Sequence, residues 1–234
     1  MSSKHTEAAP LQAAPLQAAP ARRSWSRIAF LGDAFTVGAG DETMLGWVGR
    51  LCAEQWRQGH DVTAYNLGIR GGTTRLIGQR WRGECEARLP PSANAKLVFM
   101  FGGNDAKLLD GKTPEVPLEE SAANARKILG EAKAWLPTIW IGLIPMNEQR
   151  PYPKLLSGPQ YTFSNAIQAE YNARYAQVAA ELGIPFLDIH TPLLADPDWP
   201  DLTQAGDGSN PASPGYAKVA GMIGAWEAWR AWFQ

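Results

Sequence analysis

The sequence predicts an α/β fold, a three-layer α/β/α sandwich built on a parallel five-stranded sheet. Three observations predict it. Short apolar runs of strand length alternate with longer helical patterns from Arg27 onward, an order that yields a parallel sheet covered by helices on both faces through right-handed crossovers. Polar, small-residue loops follow the apolar runs, and open α/β sheets bind ligands where such loops leave the carboxyl ends of the strands. The length of 234 residues, with 45% hydrophobic and 19% charged residues, suits one soluble domain with a sizeable core and argues against wholesale disorder.

Residues 1–24 contain the repeat APLQAAPLQAAP. It has too little large apolar surface to offset the entropy of ordering it, so it reads as a low-complexity tail ahead of a single domain over residues 25–234. RIAFL at 27–31 is the first strand, followed by a helix around 45–58, and VTAYNLG at 62–68 is the second, followed by a helix around 73–89. KLVFMF at 96–101 is the third strand, before a helix around 117–135. TIWIGLI at 138–144 and IPFLDI at 184–189 complete the sheet, with a helix around 163–182 between them and a last helix after Pro214. That last helix carries Trp226, Trp229, Trp232 and Phe233 largely on one face, which reads first as core packing and second as an oligomer contact. Residues 146–160, MNEQRPYPKLLSGPQ, are rich in proline and polar groups and read either as a lid or as an inert surface loop.

Composition and motifs exclude several function classes. A net charge of -1 gives no general pull toward nucleic acid. No apolar run approaches the roughly 18 residues of a membrane span, and the N-terminus lacks the apolar stretch of a secretory signal, so a cytoplasmic protein with no membrane partner is expected. Cys52 and Cys85 make no Cys-x-x-Cys pair, and a structural disulfide is not expected. GKT at 111–113 has Ala106 where a phosphate-binding loop needs its first glycine, and GAGDET at 38–43 lacks the last glycine of a dinucleotide fingerprint. Neither Gly-x-Ser-x-Gly nor His-Glu-x-x-His occurs. No cofactor and no metal are expected.

Four loops remain, in order: GDA at 32–34 after the first strand, NLGIRGGT at 66–73 after the second, FGGND at 101–105 after the third, and DGSNPASPGY at 207–216 before the final helix. From about residue 27 to the C-terminus the chain thereby resembles the SGNH hydrolases, the GDSL-type esterases and acylhydrolases. The resemblance implies their flavodoxin-like sheet and a small-molecule acyl or carbonyl ligand. In that family the first block is Gly-Asp-Ser, whose serine is the nucleophile, and the last is Asp-x-x-His, whose histidine activates the serine while the aspartate orients it. Here Asp33 and Asp207 match, but Ala34 stands at the serine position and Asn210 at the histidine position. Alanine has no nucleophilic atom and a neutral amide accepts no proton near pH 7. Loss of such a pair typically costs about 10⁶ in kcat, so ordinary acyl-enzyme hydrolysis is not expected.

The resemblance further implies an oxyanion hole made by the backbone N–H of Ala34, the backbone N–H of Gly68 and the side-chain amide of Asn104. The first donor survives any side-chain change. Asp33, Arg70 and His190 are candidate ligand contacts, with a solvated surface role as the plainer reading of Arg70. Of the three histidines, His5 lies in the tail and His60 at the far end of the second strand. His190, two residues after Asp188, is expected either at the carboxyl edge as a substitute proton carrier or hydrogen-bonded in a loop. Ser209 is a hydroxyl without an evident base and reads as a turn residue. Three readings stay open: a hydrolase disabled so that it traps its substrate, a natural enzyme using Asp207, His190 or the oxyanion hole for proton transfer, cyclisation or elimination, and a non-catalytic binding protein.

Overall fold

A computed structural model describes residues 24–109, 111–148 and 161–234. All five expected strands are present: β1 (Ser24–Gly32), β2 (His60–Gly68), β3 (Ala95–Met100), β6 (Thr138–Ile141) and β8 (Phe186–Leu187). They form one parallel sheet in the order β2-β1-β3-β6-β8. Three further two-residue strands, β4 (Leu108–Leu109), β5 (Thr113–Pro114) and β7 (Tyr161–Thr162), make a small antiparallel sheet in the order β5-β4-β7. This second sheet is not predicted from the sequence, because strands of two residues carry no periodicity.

Because successive side chains of a strand point to opposite faces, each central strand feeds two cores. Ile28 and Phe30 of β1, Val98 and Met100 of β3, and Ile139 and Ile141 of β6 pack on one side. Ala29 and Leu31, Leu97 and Phe99, and Trp140 pack on the other. Helices α2 (Gly46–Arg57) and α8 (Ser213–Ala225) cover the first face through Trp47, Leu51, Val219 and Ile223. The second face is covered by α3 (Thr74–Glu86), α4 (Leu118–Trp135) and α5 (Asn165–Leu182), through Trp81, Leu129 and Tyr175. Burial on both faces explains why the strand segments read as nearly continuous apolar runs.

The shorter helices are α1 (Ala34–Val37), α6 (His190–Leu194), α7 (Trp199–Gln204) and α9 (Glu227–Arg230). The last of these corrects the expected single terminal helix. The chain turns extended at Trp226, with φ -71° and ψ 131°, before α9 begins. The break lets the fully buried Trp229 reach Phe30, with ring centroids 6.3 Å apart, while Phe233 stacks beside it at 5.0 Å. Trp229 is core, as one of the sequence readings had it, and Trp226, Trp232 and Phe233 pack partly buried against that core.

Strand register places the motif loops. Gly32, the last residue of β1, pairs with Gly68 at the end of β2 and with Met100 at the end of β3. Three of the four loops therefore leave the sheet at one level and on one edge. Among the described residues, no helix is long and apolar enough to cross a membrane. Residues 1–23 of the tail (1–24) and residues 149–160 of the candidate lid (146–160) lie outside the described residues.

Candidate active site

The first motif turns directly into α1. Asp33 caps this helix, accepting a hydrogen bond from the Phe35 N–H at 3.1 Å, and Gly38 ends it in the left-handed conformation. Ala34 is the first helical residue, a position whose N–H has no partner within the helix. Its side chain is a methyl group, which offers no nucleophile.

Asn66 joins this turn to β2. Its amide donates to the Thr36 carbonyl at 2.6 Å, and its Oδ1 accepts from the Gly68 N–H at 3.1 Å. Gly68 also lies hard against α1, where a Cβ would fall 2.5 Å from the Val37 nitrogen. The donor expected of Gly68 is thus already spent inside the scaffold, and that expectation is corrected. Gly71 takes its place beside the cleft, with φ +75° and open space around it. The hydrogen bond of this turn runs from the Gly72 N–H to the Ile69 carbonyl at 3.0 Å and leaves the Gly71 N–H unused. Sequence reasoning missed Gly71 because NLGIRGGT holds three glycines and spacing alone does not say which one faces outward.

Asn104, from the third motif, donates to Asp33 Oδ2 at 3.1 Å and to the Gly72 carbonyl at 3.3 Å, so its amide touches both neighbouring loops. Behind it the fully buried Asp105 accepts from the Thr74 N–H, the Thr74 hydroxyl and the Ser121 hydroxyl. That network fixes the start of α3 to the loop after β3. Burial pushes the Asp33 carboxyl up to about 7, an effect that the Phe35 N–H opposes and the Asp105 charge reinforces. Burial likewise raises Asp105 to about 6 against its hydroxyl and N–H donors.

The fourth motif is folded around Asp207. Its Oδ1 accepts from the N–H groups of Ser209 and Asn210 at 3.0 and 2.7 Å, and its Oδ2 accepts from the Asn210 amide at 2.9 Å. Burial alone would raise this carboxyl, but the Asn210 and Ser209 donors and the Arg70 charge hold it below the ordinary value. Arg70 reaches Asp207 with one nitrogen at 3.2 Å while remaining 60% exposed. The loop is drawn to α1 from beyond: the Tyr216 hydroxyl donates to the Ala39 carbonyl at 2.7 Å, and Arg50 links Asp41 to Ser213.

These loops enclose a cleft of about 270 Å³. Asp33, Ala34, Arg70, Asn104 and Asn210 line it, together with Gly71 and Ser209. Tyr161 of β7, Phe163 just after it and Lys107 just before β4 also line it, with Phe35 and Met146 completing the apolar surface. Asp207 stands behind Asn210 rather than in the lining. His190 does not join the site. It is the first residue of α6, 1% exposed, with Nε2 unpartnered, and burial lowers its pKa against the pull of Asp188. The substitute proton carrier expected of His190 is therefore not placed to reach a ligand. A larger groove of about 470 Å³ runs between α2 and α8, but none of the motif loops reaches it.

Among the described residues no group of His, Cys, Asp and Glu is arranged to hold a metal ion. Cys52 and Cys85 are free, in α2 and α3, and burial pushes both thiols up to about 12.

Comparison with known proteins agrees with this geometry. Residues 30–218 match the model of the GDSL-like Lipase/Acylhydrolase family. Among solved structures, the lipase/acylhydrolase from Enterococcus faecalis superposes with a TM-score of 0.69 at 23% identity, covering 88% of this chain and 96% of that one. The acetylxylan esterase Axe2 from Geobacillus stearothermophilus gives 0.63 at 19% identity over 90% and 98% of the two chains. The psychrotrophic esterase EstA from Pseudoalteromonas sp. gives 0.64 at 16% over 89% and 98%. No curated protein sequence matches. With the family model spanning most of the chain and the motif loops gathered at one sheet edge, the protein belongs to the GDSL-like lipase/acylhydrolase family.

Proposed function

We propose that this chain binds a small acyl or carbonyl compound in the cleft and does not hydrolyse it through an acyl-enzyme. One observation carries the reading: the N–H donors of Ala34 and Gly71 and the Asn104 amide border a cleft in which position 34 offers no nucleophile and position 210 no base. Backbone donors are indifferent to the change at position 34, so the ability to hold an oxygen outlasts the ability to attack a carbon. The longer Asn104 contact, to the Gly72 carbonyl, is the one a ligand oxygen would replace.

The test pairs two measurements. The unmodified chain should hydrolyse p-nitrophenyl acetate at the background rate, and Asn104→Ala should weaken calorimetrically measured ligand binding by on the order of 1–3 kcal/mol. Ready turnover, or affinity unchanged by Asn104→Ala, would overturn the reading. A second reading, proton transfer without an acyl-enzyme, is favoured by Asp33, a cleft-lining carboxyl held near 7 where it can both give and take a proton. Substrate conversion abolished by Asp33→Asn and retained in Ala34→Gly would support that reading over pure binding.

A further inference from the structure

We propose that the ligand of this cleft carries a carboxylate joined to an apolar group, the carboxylate held between Arg70 and Lys107 and the apolar part laid against Tyr161 and Phe163. The inference rests on the binding reading above and adds the charge and shape of the ligand.

Both cations line the same cleft and come from different loops. Arg70 follows β2, and Lys107 immediately precedes β4. Arg70 spends one nitrogen on Asp207, and a guanidinium has five N–H donors in a fork that matches a carboxylate. The Lys107 side chain is only 12% exposed; it pairs with Glu115 and lies over the Tyr161 ring, 4.5 Å from its centroid. Its ammonium has three donors, so Glu115 leaves capacity for a second acceptor. Asp33 adds no full negative charge to the cleft below about pH 7. A neutral ester would call for neither cation, since an oxyanion hole is served by N–H donors. A carboxylate calls for both, and it is also the form of an acyl group that needs no nucleophile or base.

Size and surface fit the same ligand. At about 270 Å³ the cleft falls just under the roughly 300–1,000 Å³ typical of drug-sized sites, which suits a compact molecule. Tyr161 and Phe163 meet at 6.0 Å and 80°, offering one ring face and one ring edge to an apolar tail.

The experiment is calorimetric titration of the full chain at pH 6.5 with acetate, hexanoate and phenylacetate, alongside the neutral hexanamide and phenylacetamide. Hexanoate or phenylacetate should bind at least about tenfold more tightly than its amide. Lys107→Gln and Arg70→Gln should each weaken the acid by roughly 3–10-fold while leaving the amide unchanged, and Lys107→Arg should retain binding. Glu115→Gln, which removes the competing carboxylate, should strengthen it; this change in the opposite direction separates a charge effect from damage to the fold. Equal binding of acid and amide, or acid binding indifferent to Lys107→Gln, overturns the charge assignment and leaves the binding reading standing. Failure of every acid and every amide to bind overturns both.

Discussion

One side of the cleft is the carboxyl edge of the parallel sheet, where Ala34, Gly71 and Asn104 stand on loops leaving three neighbouring strands at one level. The second part of its lining lies in and beside the small antiparallel sheet, where Lys107 just before β4 joins Tyr161 of β7 and Phe163 just after it, residues far apart in the chain. On the first side the useful groups are mostly main-chain N–H donors, fixed by register and indifferent to the side chain at position 34. On the second they are side chains, free to change with the ligand. A scaffold divided in this way can lose its reaction while keeping its grip, and changes on each side should therefore register in different measurements.

The largest effect belongs to the sheet edge. Asn210 already donates to Asp207, so a histidine there would find its orienting carboxylate in place. Ala34→Ser combined with Asn210→His should raise turnover of p-nitrophenyl acetate by on the order of 10³ or more, with far smaller gains from either change alone, because nucleophile and base act as a unit. A double variant no faster than the unmodified chain would mean that the edge no longer has hydrolase geometry.

Next in size is the contrast between two glycines on one loop. A methyl group at Gly68 would meet the Val37 nitrogen at 2.5 Å and the Asp33 carbonyl oxygen at 2.8 Å, so Gly68→Ala should cost about 3 kcal/mol in urea unfolding. At Gly71 nothing lies within 4 Å and only the left-handed backbone resists, so Gly71→Ala should cost about 1 kcal/mol. The reverse order would return the outward donor to Gly68.

A smaller effect appears in the pH dependence of stability. The Asp33 carboxyl, ordinarily near 3.8, is held near 7 in the folded protein. The folded state therefore carries an extra proton between these values, and stability falls as pH rises through roughly 4 to 7, then levels off. Asp105, raised to about 6, bends the curve in the same direction over a narrower window. Asp33→Asn should flatten the fall in Tm across this range and, after the altered hydrogen bonds to Phe35 and Asn104 are counted, gain on the order of 1 kcal/mol at pH 8. An unaltered slope would show that the carboxyl is not held in its protonated form. Smallest is Arg70→Ala, whose exposed contact with Asp207 should be worth under about 0.5 kcal/mol to stability, even though the same change reaches the ligand.

The difference between the two sides also marks what could be read from the chain. The central parallel strands were legible because burial on both faces makes them nearly continuous apolar runs, and the motif loops because each follows an apolar run. Asp33, Ala34, Asn104 and Asn210 were found in that way. Gly71 was not, since the choice among the glycines of NLGIRGGT depends on a close approach of α1 to Gly68 that no local pattern records. Lys107, Tyr161 and Phe163 were missed because their strands are too short to show alternation. Of the two readings open for His190, LDIH suggested the sheet edge because it reads as a strand leaving the sheet, whereas packing closes over the ring at the start of α6. The break at Trp226 carries no proline and falls between apolar residues, so only the pull of Trp229 into the core reveals it.

The central proposal is that the N–H donors of the sheet edge receive a ligand although positions 34 and 210 carry neither a nucleophile nor a base. Backbone amide NMR of the ¹⁵N-labelled chain, titrated with phenylacetate, tests it residue by residue. The Ala34 and Gly71 resonances should move together and saturate at the affinity that calorimetry gives. If phenylacetate binds while those two resonances stay fixed and shifts appear instead along the groove between α2 and α8, the cleft is not the binding site and the account is contradicted.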